Sequence, residues 1–162
     1  MTLVPATVET VRDELRDLPR FFRRLEVLPA PDWPPAALLD ALPLMLRALE
    51  EAPWTAGWHA WYWVSRNDRH LVGSGGFKGE PQGDGTVEIG YATRTCCRRL
   101  GFAREAMSAL VAWALREPSV VRIVAETEKA NAASRGLLRS LGFATIASAP
   151  RRRGMLWYER RG

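Results

Sequence analysis

The sequence predicts an α/β fold, a single domain over residues 1–162 in which a mixed, mostly antiparallel sheet is flanked by helices. Three observations carry that reading. Apolar residues recur at helical spacing through the first fifty positions. From Trp58 the period changes to short aromatic and β-branched runs separated by turn residues. Between Val87 and Thr127 the pattern is strand, helix, strand, which calls for a parallel pair joined by a crossover.

Taken in order, Val8, Val11, Leu15, Leu18, Phe21, Phe22 and Leu25 follow a helix period from Thr7 to Val27. Pro19 interrupts it, because proline removes a backbone donor and clashes with the preceding turn, so two short helices or one kinked near Asp17 are expected. Pro29 to Pro35 is an extended loop, since four prolines in seven residues cannot sustain a helix. One helix carrying Leu38, Leu39, Leu42, Leu46 and Leu49 should then open at Asp32 or Pro34 and end before Pro53. A loop with Trp54 and Gly57 leads to two antiparallel strands, W-H-A-W-Y-W-V-S and L-V-G-S-G-G-F-K-G, around the turn R-N-D-R-H.

A turn-rich connection over 79–85 precedes a strand from Thr86 to Thr93. The following helix carries Ala103, Ala106, Met107, Leu110, Val111 and Ala114 on one face. V-V-R-I-V-A-E-T reads as a buried strand, and N-A-A-S-R-G-L-L-R-S-L-G-F as a helix with Asn131 near its start and Gly142 as its stop. Ala144 to Ser148 and Met155 to Glu159 finish the chain as strands around a basic turn, Pro150 to Gly154. No repeat or low-complexity tract is present.

Composition narrows the function. With 47% hydrophobic residues, the 162-residue chain can build a sizeable core. A net charge of +5 favours an anionic partner, whether nucleic acid, acidic lipid or a phosphorylated small molecule, without choosing among them. The two cysteines are neighbours, Cys96 and Cys97, so neither a C-x-x-C metal pattern nor a disulfide framework is available. No signal-peptide pattern and no run of about 18 apolar residues occurs, so no membrane association is expected and a cytoplasmic location fits best.

The stretch that organises the chain runs from Val87 to Leu115: strand, tight loop, helix. The loop holds Gly101 among arginines. Glycine lets backbone pass close to a ligand, and the free N–H groups of a helix N-terminus favour anions, so this is a candidate phosphate cradle.

At this point the residues resemble the GNAT superfamily of acyl-CoA-dependent N-acetyltransferases, and within it the ribosomal-protein N-terminal acetyltransferase-like branch. Arg98-Arg99-Leu100-Gly101-Phe102-Ala103 matches its Q/R-x-x-G-x-G/A signature. E-I-G-Y upstream, A-R-E-A-M downstream, and N-A-A-S followed by L-G-F one strand later supply the context. The resemblance covers Gly73 to Phe143, about half the chain.

It implies a central parallel strand pair that splays apart, with acetyl-CoA as cosubstrate and no metal. Backbone groups of Tyr91, Ala92 and Thr93 would bind the pantetheine arm and the acyl carbonyl. The amides of Arg98, Arg99, Gly101, Phe102, Ala103 and Arg104 would wrap the pyrophosphate. Asn131 and Ser134 would face the pantetheine or its sulfur. The implied function is acetyl transfer to a primary amine of a small molecule or a protein N-terminus.

Two departures stand out. Arg99 occupies a position where many relatives have glycine, and an ordinary loop there would not need positive φ. Leu138 replaces a tyrosine that many relatives carry four residues after the position of Ser134, so the usual phenolic proton donor is missing.

For catalysis, Glu88 is the candidate base, against a structural carboxylate paired with an arginine. Ser134 is the candidate donor to the departing thiolate, against helix capping, and Asn131 is a cofactor contact or an N-cap. Cys96 or Cys97 as a nucleophile is disfavoured, as is a metal at His59 and His70. Trp58, Trp61 and Trp63 read as sheet packing, with Trp33 and Trp54 as acceptor-side candidates. Arg151 to Arg153 read as a solvated turn. Two rivals remain: a CoA-binding regulator without catalysis, and a basic nucleic-acid-binding module, the latter disfavoured because its aromatic residues look like core. A homodimer is left open.

Overall fold

Strands β1 (Thr2–Pro5), β2 (Ala60–Val64), β3 (Leu71–Phe77), β4 (Thr86–Thr93), β5 (Arg122–Glu128), β6 (Ala144–Thr145) and β7 (Met155–Arg161) form one sheet in the order β1-β2-β3-β4-β5-β7-β6. All neighbours are antiparallel except β4 and β5, which run parallel, as the crossover requires. The computed structural model describes residues 1–147 and 153–162. The expected strand end at Ser148 and the basic turn through Pro150, Arg151 and Arg152 lie outside the described residues.

The amino-terminal helices divide as Pro19 dictates. Asp17 closes α1 (Val8–Arg16) by donating its N–H to the Asp13 carbonyl, and opens α2 (Leu18–Arg24) by accepting the Arg20 N–H at 3.0 Å. The single helix expected after the proline-rich loop is instead two, α3 (Ala36–Leu39) and α4 (Leu42–Glu51). Pro43 stands in the first turn of α4, where its missing N–H breaks no helical bond, so the helix restarts there. The Trp54 loop is a 3₁₀ turn over Pro53–Trp58. The edge strand β1 was not expected. It pairs Leu3 with Trp63 and Val4 with Tyr62, and tolerates Pro5 because an edge residue needs no second partner.

Alternation along the strands sends side chains into two cores. Trp63, Phe77, Val87, Ile89, Ile123 and Ala125 pack against α5 (Phe102–Ala114) and α6 (Ala132–Ser140) on one face. Tyr62, Val64 and Leu71 pack against α1, α2 and α4 on the other. Among the described residues no helix is long and apolar enough to cross a membrane.

The feature that positions the site is where β4 and β5 stop pairing. Their register ends at Ile89 and Ala125. Beyond that rung β4 stays paired with β3 to Thr93, and β5 with β7 to Glu128, so each keeps its outer partner and loses the inner one. A wedge opens between residues 90–93 and 126–128.

Candidate functional site

Hydrogen-bond alternation in an antiparallel ladder decides which β4 groups face the wedge. The Lys78 N–H donates to the Glu88 carbonyl at 2.9 Å and the Arg94 N–H to the Val72 carbonyl at 3.0 Å, so even-numbered residues point at β3. Ala92 therefore exchanges its backbone groups with Ser74 and, contrary to expectation, has none free for a pantetheine arm. Tyr91 and Thr93 point theirs into the wedge. The Thr93 carbonyl also accepts the Arg98 Nε at 3.4 Å, which ties the strand end to the following loop.

That loop turns through a short 3₁₀ segment, Thr95–Cys97, and enters α5 at Gly101. Gly101 has φ 87° and ψ −11°, and a Cβ built there meets nothing within 4 Å, so the space above it is open to a ligand. Arg99 has φ 61°, contrary to the expectation of ordinary geometry. Arginine holds this left-handed backbone at a cost of about 1–2 kcal/mol that a glycine would not incur.

α5 carries no side-chain cap, and the first amide to find a helical acceptor is Glu105, which donates to the Gly101 carbonyl at 3.0 Å. Among the described residues the amides of 99 to 104 donate to no protein acceptor, whereas Arg98, expected to open the cradle, turns its N–H back to the Thr95 carbonyl at 3.4 Å. Six consecutive N–H groups at a helix N-terminus, with Gly101 leaving the approach clear, suit a pyrophosphate, so the residues present fit coenzyme A. Phe102 and Ala103 pack their side chains on the core, leaving their backbone for the cradle.

Tyr91 and Ser134 are brought together. The Tyr91 side chain crosses to α6, where its Oη lies 2.8 Å from Ser134 Oγ. Burial raises the phenol above its ordinary value, and the Ser134 bond works against that. Gly75 makes the placement possible, since a Cβ there would come within 2.4 Å of the Tyr91 Cβ. Leu138 is fully buried in the core on the α5 and α6 side. A phenol still stands beside Ser134, delivered from β4. The sequence reading placed Tyr91 there only through its backbone. Asn131 caps α6, its Oδ1 accepting the Ser134 N–H at 3.0 Å, and its own side chain is exposed.

Glu88 lies on the opposite face of the sheet, three residues from Tyr91 on the same strand. Its carboxylate pairs with Lys78 rather than with an arginine, and its side chain is 23% exposed. Its level is the rung Glu88–Val124, just before the wedge opens. On that same face Glu126 stands on β5 immediately past the last paired rung, opposite Trp157. Glu126 was missed, although a carboxylate alternating with Val124 in a buried strand was the available signal.

The acceptor-side candidates separate. Trp33 is 4% exposed, with Nε1 donating to Glu14 at 2.8 Å, whereas Trp54 is 78% exposed. Trp58 and Trp61 pack against Trp113, and Trp63 is fully buried. Arg94 holds the proline-rich loop to the strand end through a 2.8 Å bond to Asp32 and a 2.8 Å bond to the Leu71 carbonyl. His59 is buried beside Thr55. Among the described residues no group of three or more His, Cys, Asp or Glu could hold a metal ion.

Comparison with known proteins gives a consistent picture. The sequence model of the acetyltransferase (GNAT) domain matches residues 6–144. An uncharacterized N-acetyltransferase of Bacillus subtilis, YjdG, is 37% identical over 112 residues, which is 69% of this chain and 67% of that protein. In structure, a ribosomal-protein-alanine N-acetyltransferase from Brucella melitensis aligns with TM-score 0.63 and 22% identity over 99% of both chains. A variant spermidine N-acetyltransferase from Vibrio cholerae aligns with TM-score 0.66 and 13% identity, covering 99% of this chain and 95% of its own. The two rivals, a CoA-binding regulator and a nucleic-acid-binding module, are not favoured by these matches.

Proposed function

Because the chain belongs to the GNAT family and is an acyl-CoA-dependent N-acetyltransferase, we propose that acetyl-CoA lies in the β4–β5 wedge with its pyrophosphate on the amides of 99 to 104. The observation that carries this is the continuity of unsatisfied backbone donors, from Tyr91 and Thr93 in the wedge to the cradle before α5. Bound acetyl-CoA supplies an acetyl group activated as a thioester.

The residues around the wedge divide the work between two faces. The free N–H groups of Tyr91 and Thr93 are the donors available to an acyl oxygen as it gains charge, a contribution of roughly 2.7–4 kcal/mol for one such donor. Glu88 stands on one face to take the proton that an ammonium acceptor must lose before its nitrogen attacks. On the other face the Tyr91 and Ser134 hydroxyls stand to give a proton to a leaving thiolate. Placing the base and the acid on opposite faces keeps the amine and the leaving group on separate approaches.

The acceptor is a primary amine, of a small molecule or a protein N-terminus. The Brucella and Vibrio relatives, whose names cite a ribosomal-protein alanine and spermidine, represent those two kinds. Calorimetry with acetyl-CoA, followed by turnover with a panel of amines, tests the reading. Saturable binding and CoA release with one acceptor class are expected, and no binding at millimolar acetyl-CoA overturns it.

A further inference from the structure

The turn leading into the cradle carries a chemistry the acetyl transfer does not use. Cys96 and Cys97 are both free thiols, the first exposed and the second half-buried against the α5 core. Their Sγ atoms are 3.5 Å apart.

Two fates are open to such a pair, and distances choose between them. A disulfide needs sulfurs about 2.05 Å apart and Cα atoms about 4.4–6.8 Å apart. Adjacent Cα atoms across a trans peptide are only about 3.8 Å apart, so the bond would need a distorted backbone as well as a closure of about 1.5 Å between the sulfurs. Two thiolates sharing one centre at about 2.3 Å each, with the bent geometry of a pyramidal or tetrahedral centre, stand roughly 3.5–3.8 Å apart, and the observed 3.5 Å falls there.

We propose that Cys96 and Cys97 form a two-sulfur clamp for a soft, thiophilic, pyramidal centre that needs only two protein thiolates, the chemistry of monosubstituted trivalent arsenic. Soft thiolates select such centres. A four-coordinate zinc is not served, since no third or fourth ligand joins the pair among the described residues. The Arg94 guanidinium favours the Cys97 thiolate by its charge. Burial, with Cys96 beside it, pushes the Cys97 thiol up to about 11, and the carboxylate of Asp32 adds to that. The Cys97 proton therefore leaves against the incoming centre rather than ahead of it. With an organoarsenic oxide the exchange balances as two S–H bonds and one As=O giving two S–As bonds and one water, arsenic remaining trivalent.

The turn links Thr93 to the cradle amides, so a centre held on Cys96 and Cys97 bears on cofactor binding. That link, unlike the clamp itself, rests on the acetyl-CoA placement proposed above.

The test is titration of the whole protein with phenylarsine oxide, followed by intact mass and free-thiol count. One arsenical per chain, both thiols lost, and reversal by a 1,2-dithiol but not by a monothiol are expected. Cys96→Ser and Cys97→Ser should each lose about 10²–10⁴ in affinity, the effective-concentration advantage of a second tethered ligand. A surviving thiol in the loaded protein, or single variants that bind as tightly as the parent, overturns the clamp. Acetyl-CoA affinity is measured before and after loading. A tenfold or greater weakening supports the link and an unchanged affinity overturns it. Failure of the unloaded protein to bind acetyl-CoA instead overturns the cofactor placement, with the thiol count still judging the clamp.

Discussion

Replacing Gly101 with valine separates two costs that the cradle assignment predicts to be independent. At φ 87° any L side chain is strained, by about 1–2 kcal/mol in the left-handed region. The new Cβ meets no protein atom within 4 Å, so no clash adds to that strain. In a chain of this length each kcal/mol lowers Tm by about 2–4 °C, which gives a fall of about 2–8 °C. The side chain would occupy the space above the helix N-terminus. Displacing one N–H from a charged phosphate oxygen forfeits about 1.5–3 kcal/mol, or about 10- to 150-fold in Kd. Gly154 is the matched control, since it has φ 84° and likewise no neighbour within 4 Å of a built Cβ. Thermal melts and acetyl-CoA calorimetry on Gly101→Val and Gly154→Val should show similar Tm losses and a weakened Kd in the first alone. Equal Kd values for the two variants would refute the cradle.

Three further predictions follow from the same geometry. Tyr91→Phe should lower kcat while leaving acetyl-CoA affinity within about threefold, whereas Leu138→Tyr should restore nothing and cost about 1–3 kcal/mol by overpacking the core, as denaturant melts of both would reveal. Glu88→Gln should cut kcat by about 10²–10⁴ if its carboxylate is the base, and the same loss from Glu126→Gln alone would move the role to β5. Glu14 is 4% exposed, and burial raises its pKa from 4.5 to about 7 against hydrogen bonds from Tyr62 and Trp33. A carboxyl whose folded pKa lies above its unfolded value stabilises fully below about pH 4.5, and that stabilisation fades as pH rises through about 7, by about 3 kcal/mol in all. Urea melts at pH 5 and 8 should show that decline in the parent and not in Glu14→Gln.

The cofactor half of the fold was legible because local signals agree there. The strand Thr86–Thr93 was read at its observed bounds, and the helix after Gly101 follows from its apolar spacing and its glycine. What escaped the sequence depends on contacts between distant segments. β1 exists only because β2 offers it an edge, and four residues ending in proline carry no strand signal alone. Helices α3 and α4 divide at Pro43, which an apolar period counted through it conceals. The Arg99 backbone is set by how the loop must turn between strand and helix, so a non-glycine residue there gives no warning. Glu14 did leave a trace, a carboxylate on an otherwise apolar helix face, explained only by its burial against Trp33 and Tyr62, and Glu126 left one as a half-buried carboxylate two residues past the buried Val124. The Tyr91 phenol could not be placed beside Ser134 without knowing that β4 and α6 meet across the wedge.

The most direct test of the account is amide hydrogen exchange of the protein with and without saturating acetyl-CoA. Slowed exchange at Tyr91, Thr93 and residues 99–104, with Ala92 unchanged because Ser74 already holds it, is the predicted pattern. Unchanged exchange at those amides in the saturated protein, or protection confined to the α1, α2 and α4 face, would contradict it.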